Sequence, residues 1–514
     1  MNQSVRTSRR RMATSGFTAS AIAAAALLSC GLAQVAFATA AKPEAPVSGK
    51  PAARFVMLDS RLNIEPIALL RLDLGAPGSA SGKAGEIAYL DSGGARKTKS
   101  LSEIIALAPT TWVLATPAAA GGAAAVGNSA GDEAPSVWID LIDGQRLTGT
   151  FSSPAEGATD TTKPGAPANP KAPKSGADSD TVAWQHPRLG TVNIPLDVTA
   201  RYIGDAPRLE STLRTPLSRV NDTIVLANGD RVEGFIEHLG VSMRIGPAGA
   251  GATKAASGGA AEQASEASSV QSIIPSDQVV LAHLVNEPRT LSGAAVWLTD
   301  GSVLALSSAR TDADRGRITL TTRGLNGASA SLDLTDLRAA VVDAARITPL
   351  SALPIAAQIG SSDRPSFEPA VVDANAHGGA GAPLGAADIL LPGPMVVEWT
   401  LPGHGEGATM LGGVAQLDES CWAWGNCVVV FSIVPASDAP LSAGNAESAG
   451  GGAGRELARG TLNAETPTLN VKADLSTARP GDRLRVRIDA GPRGPIQDRV
   501  TLRRFIFVSP RPGA

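Results

Sequence analysis

A pattern of apolar runs and turn residues recurs along the first two thirds of this 514-residue chain. Each copy is an apolar run, an Asp-Gly or Asn-Gly pair and a second apolar run. The clear copies lie at residues 137–149, 223–234 and 295–304, and a weaker one lies at residues 86–93. Asp-Gly and Asn-Gly supply the positive φ angles that a tight hairpin turn needs. The pattern therefore predicts a series of β-hairpins.

Each hairpin is followed by a short apolar element, and these elements lie at residues 101–105, 194–198, 274–279 and 332–337. A lone hairpin buries too little apolar surface to be stable, so the strands must pack against one another. We predict small SH3-like β units at residues 54–114, 136–204, 220–285 and 294–345. A structural spacer role and a role in binding peptides or glycans both remain open for these units.

The pattern changes in the last quarter of the chain, which we predict to be a β-sandwich over residues 387–510. Short strand-like segments with apolar residues on one face lie at residues 395–401, 428–433, 457–462, 468–475, 483–489 and 505–508. Several short strands separated by polar turns are typical of a sandwich. The predicted fold class is therefore all-β.

Composition separates these segments with low-complexity insertions. Stretches of Ala, Gly, Ser and Pro occupy residues 118–134, 152–181, 246–269, 373–387 and 436–454, and they are typical of loops or linkers. The net charge is −3, which gives no indication of a nucleic-acid partner.

The N-terminus has the order of an export signal. A basic start at residues 6–11 precedes an apolar run at residues 17–32 and an A-x-A pattern at residues 36–40. We predict a signal peptide over residues 1–40, with an uncleaved anchor as the alternative. Residues 27–30 resemble a bacterial lipobox, so a lipid anchor at Cys30 is a further alternative. No later stretch is long and apolar enough to span a bilayer, so we expect a periplasmic, cell-envelope or extracellular protein.

Export also changes how the cysteines are interpreted. Removal or lipidation of Cys30 leaves Cys421 and Cys427 as an even pair. In an oxidising compartment, a pair at this spacing predicts a disulfide. No metal site or cofactor is predicted, because the nearest histidine is His404 and no second pair of Cys or His ligands stands nearby.

The C-terminal region resembles a known family in the order of its short motifs. The matching segments are residues 425–430, 457–460, 471–475, 484–491 and 497–498. This order is similar to that of the novel carbohydrate-binding module associated with glycoside hydrolase family 98. The resemblance implies a jelly-roll-like sandwich that binds sugars through loops at one edge. The chain departs from the family after Asp498, where residues 499–502 read Arg-Val-Thr-Leu in place of an Asp-Trp pair.

The candidate ligand site is the segment that carries Trp422 and Trp424. Residues two apart in an extended chain point to the same side, so the two rings would form a platform for the face of a sugar. The candidate partners for sugar hydroxyls are Asp418, Glu419 and Asn426. The alternative is that one Trp plugs the core and the other packs on the disulfide.

No catalytic residue is predicted. Residues 127–131 match the G-x-S-x-G motif of a nucleophile elbow, but no strand precedes them as that motif requires. We predict a non-catalytic exported protein that binds glycans through its C-terminal sandwich. The alternatives are a scaffold that contacts other proteins of the cell envelope and a glycoside hydrolase, whose two acids need not be near in sequence.

Overall fold

The structure is a computed structural model. It describes residues 53–74, 85–110, 137–152, 180–205, 217–247, 271–312, 316–360, 370–372, 382–401, 409–437, 454–492, 494 and 498–509. The predicted signal peptide, Cys30, the G-x-S-x-G match and most of each predicted insertion lie outside these ranges.

The described part of the chain is all-β, as predicted, and the strand pairings are antiparallel. Its first half contains twenty-one strands. Strands β1–β5 are Ala53–Asp59, Ile64–Leu74, Glu86–Leu90, Arg96–Ser100 and Ile104–Pro109. Strands β6–β11 are Trp138–Leu141, Arg146–Thr148, Thr150–Phe151, Thr181–His186, Gly190–Pro195 and Thr199–Ile203. Strands β12–β16 are Asp222–Leu226, Arg231–His238, Ser242–Gly246, Ser272–Pro275 and Val279–His283. Strands β17–β21 are Ala295–Leu298, Val303–Asp312, Arg317–Thr322, Ser329–Asp333 and Leu337–Val341.

These strands form four units with the same connectivity, which we number one to four along the chain. In each unit the strands follow one another as a meander, and the last strand returns to pair with the first, as in β1–β5, β6–β11, β12–β16 and β17–β21. A 3-10 turn precedes each last strand, at Leu101–Glu103, Leu196–Val198, Ser276–Gln278 and Leu334–Asp336. These turns lie within the short apolar elements that the sequence places after each hairpin.

Glycine makes the first hairpin of units two, three and four. Gly144, Gly229 and Gly301 have φ angles of 83°, 89° and 85°, which residues with a Cβ rarely adopt. The predicted hairpin at residues 86–93 is real, but it joins β3 to β4 rather than the first two strands of unit one. The first hairpin of unit one turns instead through Leu62, with a φ of 56°, while the Asp59 carboxylate accepts two backbone N–H groups.

The four units pack into one continuous apolar core rather than standing as separate modules. Strand pairing crosses between units, with β5 beside β21, β11 beside β16 and β2 beside β18. These pairings join unit one to unit four and unit two to unit three. We call the four units together the repeat array.

The second half is a sandwich of two antiparallel sheets. Its strands β22–β27 are Ile347–Pro349, Ile355–Gly360, Ala370–Val372, Asp388–Pro392, Met395–Thr400 and Met410–Leu417. Strands β28–β32 are Cys427–Val434, Arg455–Leu462, Thr468–Asp474, Arg483–Ala490 and Arg499–Val508. One sheet has the order β24-β25-β32-β27-β30 with β22 beside β32, and the other has the order β23-β26-β31-β28-β29. The remaining 3-10 turns are Ala344–Arg346, Leu350–Ala352, Pro383–Gly385 and Glu419–Cys421.

The predicted sandwich is present, and its sheets also include strands that precede residue 387. The half-exposed edge strand β23 has no clear alternation of apolar and polar residues, so its pattern did not mark it as part of the sandwich. The two sheets meet through a shared apolar core, in which the rings of Phe431 and Phe505 stack at 5.3 Å. Leu484, Val486 and Ile488 face this core from β31. The arginines that alternate with them lie on the opposite face, where Arg483 and Arg485 are buried and pair with Glu398.

Candidate functional site

The candidate ligand site is the turn that carries the chain from β27 in one sheet to β28 in the other. We call residues 418–426 the Trp turn. Asp418 begins it as the N-cap of the 3-10 turn Glu419–Cys421, and its carboxylate accepts the backbone N–H of Ser420 at 2.8 Å. Further along, the backbone N–H groups of Trp424 and Gly425 donate to the carbonyl of Cys421. The Trp turn is therefore compact and helical in its backbone.

Both tryptophans of this turn are exposed. Trp422 is 38% exposed and Trp424 is 62% exposed, whereas the other four described tryptophans are at most 4% exposed. The indole N–H of Trp422 donates to the carbonyl of Leu417 at 3.1 Å, which holds that ring against the base of the turn. Neither ring plugs the core, so the exposed aromatic surface is available to a ligand.

The predicted platform, with both rings on one side of the chain, requires an extended backbone, which the turn does not have. Trp422 has φ and ψ of −58° and −30°, which are helical values. In a helical backbone, residues two apart do not face each other. The two rings therefore present separate surfaces, and Trp424 presents the more open one.

The three polar candidates differ in what they can offer a ligand. Glu419 is exposed, and the Asp418 carboxylate already accepts Ser420 as the cap of the turn. Asn426 faces inward, because its backbone N–H donates to Asp498 and its side-chain oxygen is buried with no partner among the described residues. Glu419 is thus the candidate best placed to receive a sugar hydroxyl.

The structure does not contain the predicted disulfide. Cys421 and Cys427 are free thiols, and both side chains are buried in the core of the sandwich. There they pack as small apolar groups. Burial raises the pKa of the Cys427 thiol to about 12, and the charges of Asp498 and Cys421 act in the same direction.

Asp498 fastens the Trp turn to the start of β32. Its carboxylate is 2% exposed and accepts the backbone N–H of Asn426 at 3.2 Å. Burial raises the pKa of Asp498 to about 6, against the opposing effect of that hydrogen bond. Gly491 lies so close to the Asn426 carbonyl that a Cβ there would clash with it. These contacts hold the turn from below, and sequence reasoning missed them because they join distant segments.

A buried histidine and serine also meet in the repeat array. The Nε2 atom of His186 lies 2.9 Å from the Ser302 hydroxyl, and its Nδ1 atom accepts the backbone N–H groups of Arg188 and Leu189. Because Nδ1 is an acceptor, the proton of the neutral ring is on Nε2, and His186 donates to Ser302. A general base for a serine nucleophile needs the opposite arrangement. This pair therefore joins units two and four and does not form a catalytic dyad.

The described residues contain no group of three or more His, Cys, Asp or Glu side chains arranged to hold a metal ion. Among the same residues, no helix has the length and apolar character needed to cross a membrane.

No family model and no curated protein matches this chain. Among solved structures, it is similar to the CBM51-2 and INT domains of ZmpB from Clostridium perfringens, at 11% identity over 39% of this chain and 37% of that one, with a TM-score of 0.23. It is also similar to the CBM51 of a C. perfringens GH95 in complex with methyl-galactose, at 11% identity over 32% of this chain and 99% of that one, with a TM-score of 0.22. A third similar structure holds the tandem CBM51 modules of the family 98 glycoside hydrolase from Streptococcus pneumoniae, at 11% identity over 40% of this chain and 62% of that one, with a TM-score of 0.22. The chain spans about two fifths of the length of the first two structures it matches, 37% and 41%.

Proposed function

We propose that this protein is an exported, non-catalytic glycan-binding protein whose ligand docks on the Trp turn. The observation that carries the proposal is the exposure of Trp422 and Trp424, at 38% and 62%, on a turn fixed by hydrogen bonds and buried side chains. Tryptophan is enriched at binding interfaces and among the residues that contribute most to binding, so two exposed tryptophans on a fixed turn favour a binding site.

The chemistry of a sugar fits this turn. The C–H face of a pyranose packs on an indole ring, and the contact contributes about 1 kcal/mol beyond area burial. The capped backbone of the turn is already ordered, so binding there costs little additional conformational entropy. Because the two rings present separate surfaces, we expect Trp424 to make the main stacking contact and Glu419 to accept a hydroxyl. Affinity for a single sugar should therefore be weak.

A glycan array probed with the full exported chain tests this proposal. The expected result is binding to a subset of glycans that Trp424→Ala weakens at least tenfold and Trp422→Ala weakens less. Phe235→Ala is the matched control, because Phe235 is an exposed aromatic residue of the repeat array, 47% exposed, and its loss should leave binding unchanged. Wild-type protein that binds no glycan, or folded Trp variants that bind normally, would refute the proposal.

One observation favours a second function, in which the repeat array contacts another protein. On the fourth strand of unit three, Ile273 faces outward and is 63% exposed. The equivalent positions of units one, two and four are polar, namely Thr98, Asn193 and Ser331. Unit three thus has an apolar outer surface where its three counterparts do not.

The two functions can be separated by substitution. An Ile273→Ser and Phe235→Ser double variant should release a protein partner without changing glycan binding, whereas Trp424→Ala should do the reverse. Ser331→Ala in unit four is the control for the first effect. If the double variant keeps every partner that co-purifies with the wild type, the contact surface does not lie on unit three.

A further inference from the structure

An apolar cavity lies where the repeat array meets the sandwich. Its volume is about 300 Å³, and we call it the seam cavity. Unit four supplies Trp297, Val303 and Val341, and the segment leading into the sandwich supplies residues 344–352 in part. The turn before β25 closes the remaining side with Leu384 and Gly385. The cavity is thus built from segments that are distant in sequence and meet only in the folded chain.

The described residues that line the seam cavity carry no ionisable side chain. Its deeper wall is formed by Trp297, Val341 and Leu384, which are at most 4% exposed. The polar groups of the lining include the exposed Thr290 and the half-buried Ser351. The Ser351 hydroxyl donates to the Gly385 carbonyl and accepts the backbone N–H of Ala387. A charged ligand would lose its hydration here and find no opposite charge.

The wall of the seam cavity is held in an unusual backbone conformation. Leu384 has a φ of 60°, although it carries a side chain and is buried. Gly385 follows with a φ of 69°, and a Cβ there would lie 3.2 Å from Pro349. Positive φ at a buried leucine is costly and is often retained where it shapes a binding site. The surrounding contacts therefore maintain the open space instead of letting the seam collapse into it.

We propose that the seam cavity binds an uncharged, mainly apolar small molecule. An engineered apolar cavity of about 150 Å³ accepts benzene, so about 300 Å³ is suited to a molecule of roughly two rings or a short aliphatic chain. An occupant would restore the van der Waals contacts that an empty cavity forfeits. Because it would touch both the repeat array and the sandwich, it would also stabilise the seam between them. This site is separate from the Trp turn and does not depend on glycan binding.

Fluorescence titration of the full chain with 6-propionyl-2-dimethylaminonaphthalene, an uncharged probe built on two fused rings, tests the proposal. We expect saturable binding of one probe per chain and a higher melting temperature in its presence. Ala352→Trp fills the cavity from its exposed rim and should weaken binding at least tenfold. Ala344→Phe fills it from the buried side and should act in the same way if it folds.

Two control variants identify where the probe binds. Ala183→Trp places an equal side chain at an exposed position of β9 in unit two. Trp424→Ala removes the most exposed ring of the Trp turn. Both should bind the probe like the wild type. Unsaturable binding, or equal affinity in Ala352→Trp, would overturn the proposal. A dimer that Ala352→Trp converts to a monomer would also overturn it, because the occupant would then be a second copy of the chain.

Discussion

The buried carboxylate of Asp140 should control the stability of unit two. Asp140 accepts Arg146 at 2.7 Å on one oxygen and Arg201 at 2.6 Å on the other, and the indole N–H of Trp138 lies 3.3 Å away. The Arg146 guanidinium is 4.5 Å from the centre of the Trp138 ring, and Arg146 is 1% exposed. Asp140 and Arg146 are thus charges that have been removed from water and depend on each other.

The loss of stability on substitution of Asp140 depends on the charges that remain buried. Burial raises the pKa of Asp140, but Arg146 and Arg201 outweigh it and lower the pKa from 3.8 to about 2. That difference corresponds to about 2 kcal/mol of stability. Because the folded pKa lies below the unfolded one, this contribution is complete above pH 3.8 and is lost as the pH falls through about 2. Asp140→Asn also removes the carboxylate that pairs with the buried Arg146, so the full cost should be about 3–5 kcal/mol.

Hydrogen exchange at pH 7 provides a local assay. The amides of β6 and β11 should exchange about a hundredfold to a thousandfold faster in Asp140→Asn than in the wild type. Arg201→Met is the matched control with a smaller expected effect, because the Arg201 side chain is 35% exposed. The double variant Asp140→Leu and Arg146→Met, which removes both buried charges, should recover much of the loss. Equal exchange in Asp140→Asn and the wild type would refute the reasoning.

Three further predictions concern other groups. His186→Gln should make the free energy of unfolding depend less on pH. Burial lowers the pKa of His186 from 6.5 to about 4, so in the wild type this contribution to stability is lost as the pH falls from 6.5 through 4. Denaturation midpoints that change equally with pH in the variant and the wild type would contradict this. Asp300 and Arg188 are the charged groups that act on this ring, in opposite directions. In native reduced protein at pH 8, the buried Cys427 should resist iodoacetamide while denatured protein reacts fully; rapid native alkylation by mass spectrometry would show that the thiol is accessible. N-terminal sequencing of exported protein should give a start near residues 39–41; a blocked Cys30 would indicate lipidation instead, and an intact Met1 would contradict both.

The first hairpins of the repeat units could be predicted where a glycine forms the turn. Asp-Gly and Asn-Gly mark the first hairpins of units two to four, because glycine alone adopts their φ angles without cost. The first hairpin of unit one has no Asp-Gly or Asn-Gly pair and was not predicted. Leu62 takes the left-handed conformation there and Asp59 supplies the turn's hydrogen bonds, so the hairpin carries no glycine signature. The strand pairing between units could not be predicted either. The periodicity of apolar residues shows which face of a strand is buried but not which strand lies beside it.

The candidate ligand site remains a prediction, and the extended conformation expected for its segment was wrong. The prediction assumed an extended backbone, which would place Trp422 and Trp424 on one side of the chain. Asp418 is a residue type that favours the N-cap of a helical turn, and this signal was overlooked. The inward position of Asn426 depends on Asp498, which is seventy-two residues away along the chain. The seam cavity could not be predicted from the sequence for the same reason, since its walls come from segments that are distant in sequence and that no local pattern connects.

After Asp498 the C-terminal region departs from the motif order of the family it resembles, and this stretch lies beside the Trp turn. Val500 occupies part of the stretch where the family carries an Asp-Trp pair, and its side chain is fully buried in the sandwich core. The preceding residue, Arg499, uses its carbonyl to accept the backbone N–H of Asp418 at 2.9 Å. This end of β32 therefore supports the Trp turn and supplies no aromatic surface of its own. We therefore expect glycan contact at this edge of the sandwich to use the exposed ring of Trp424, and Trp424→Ala should weaken it.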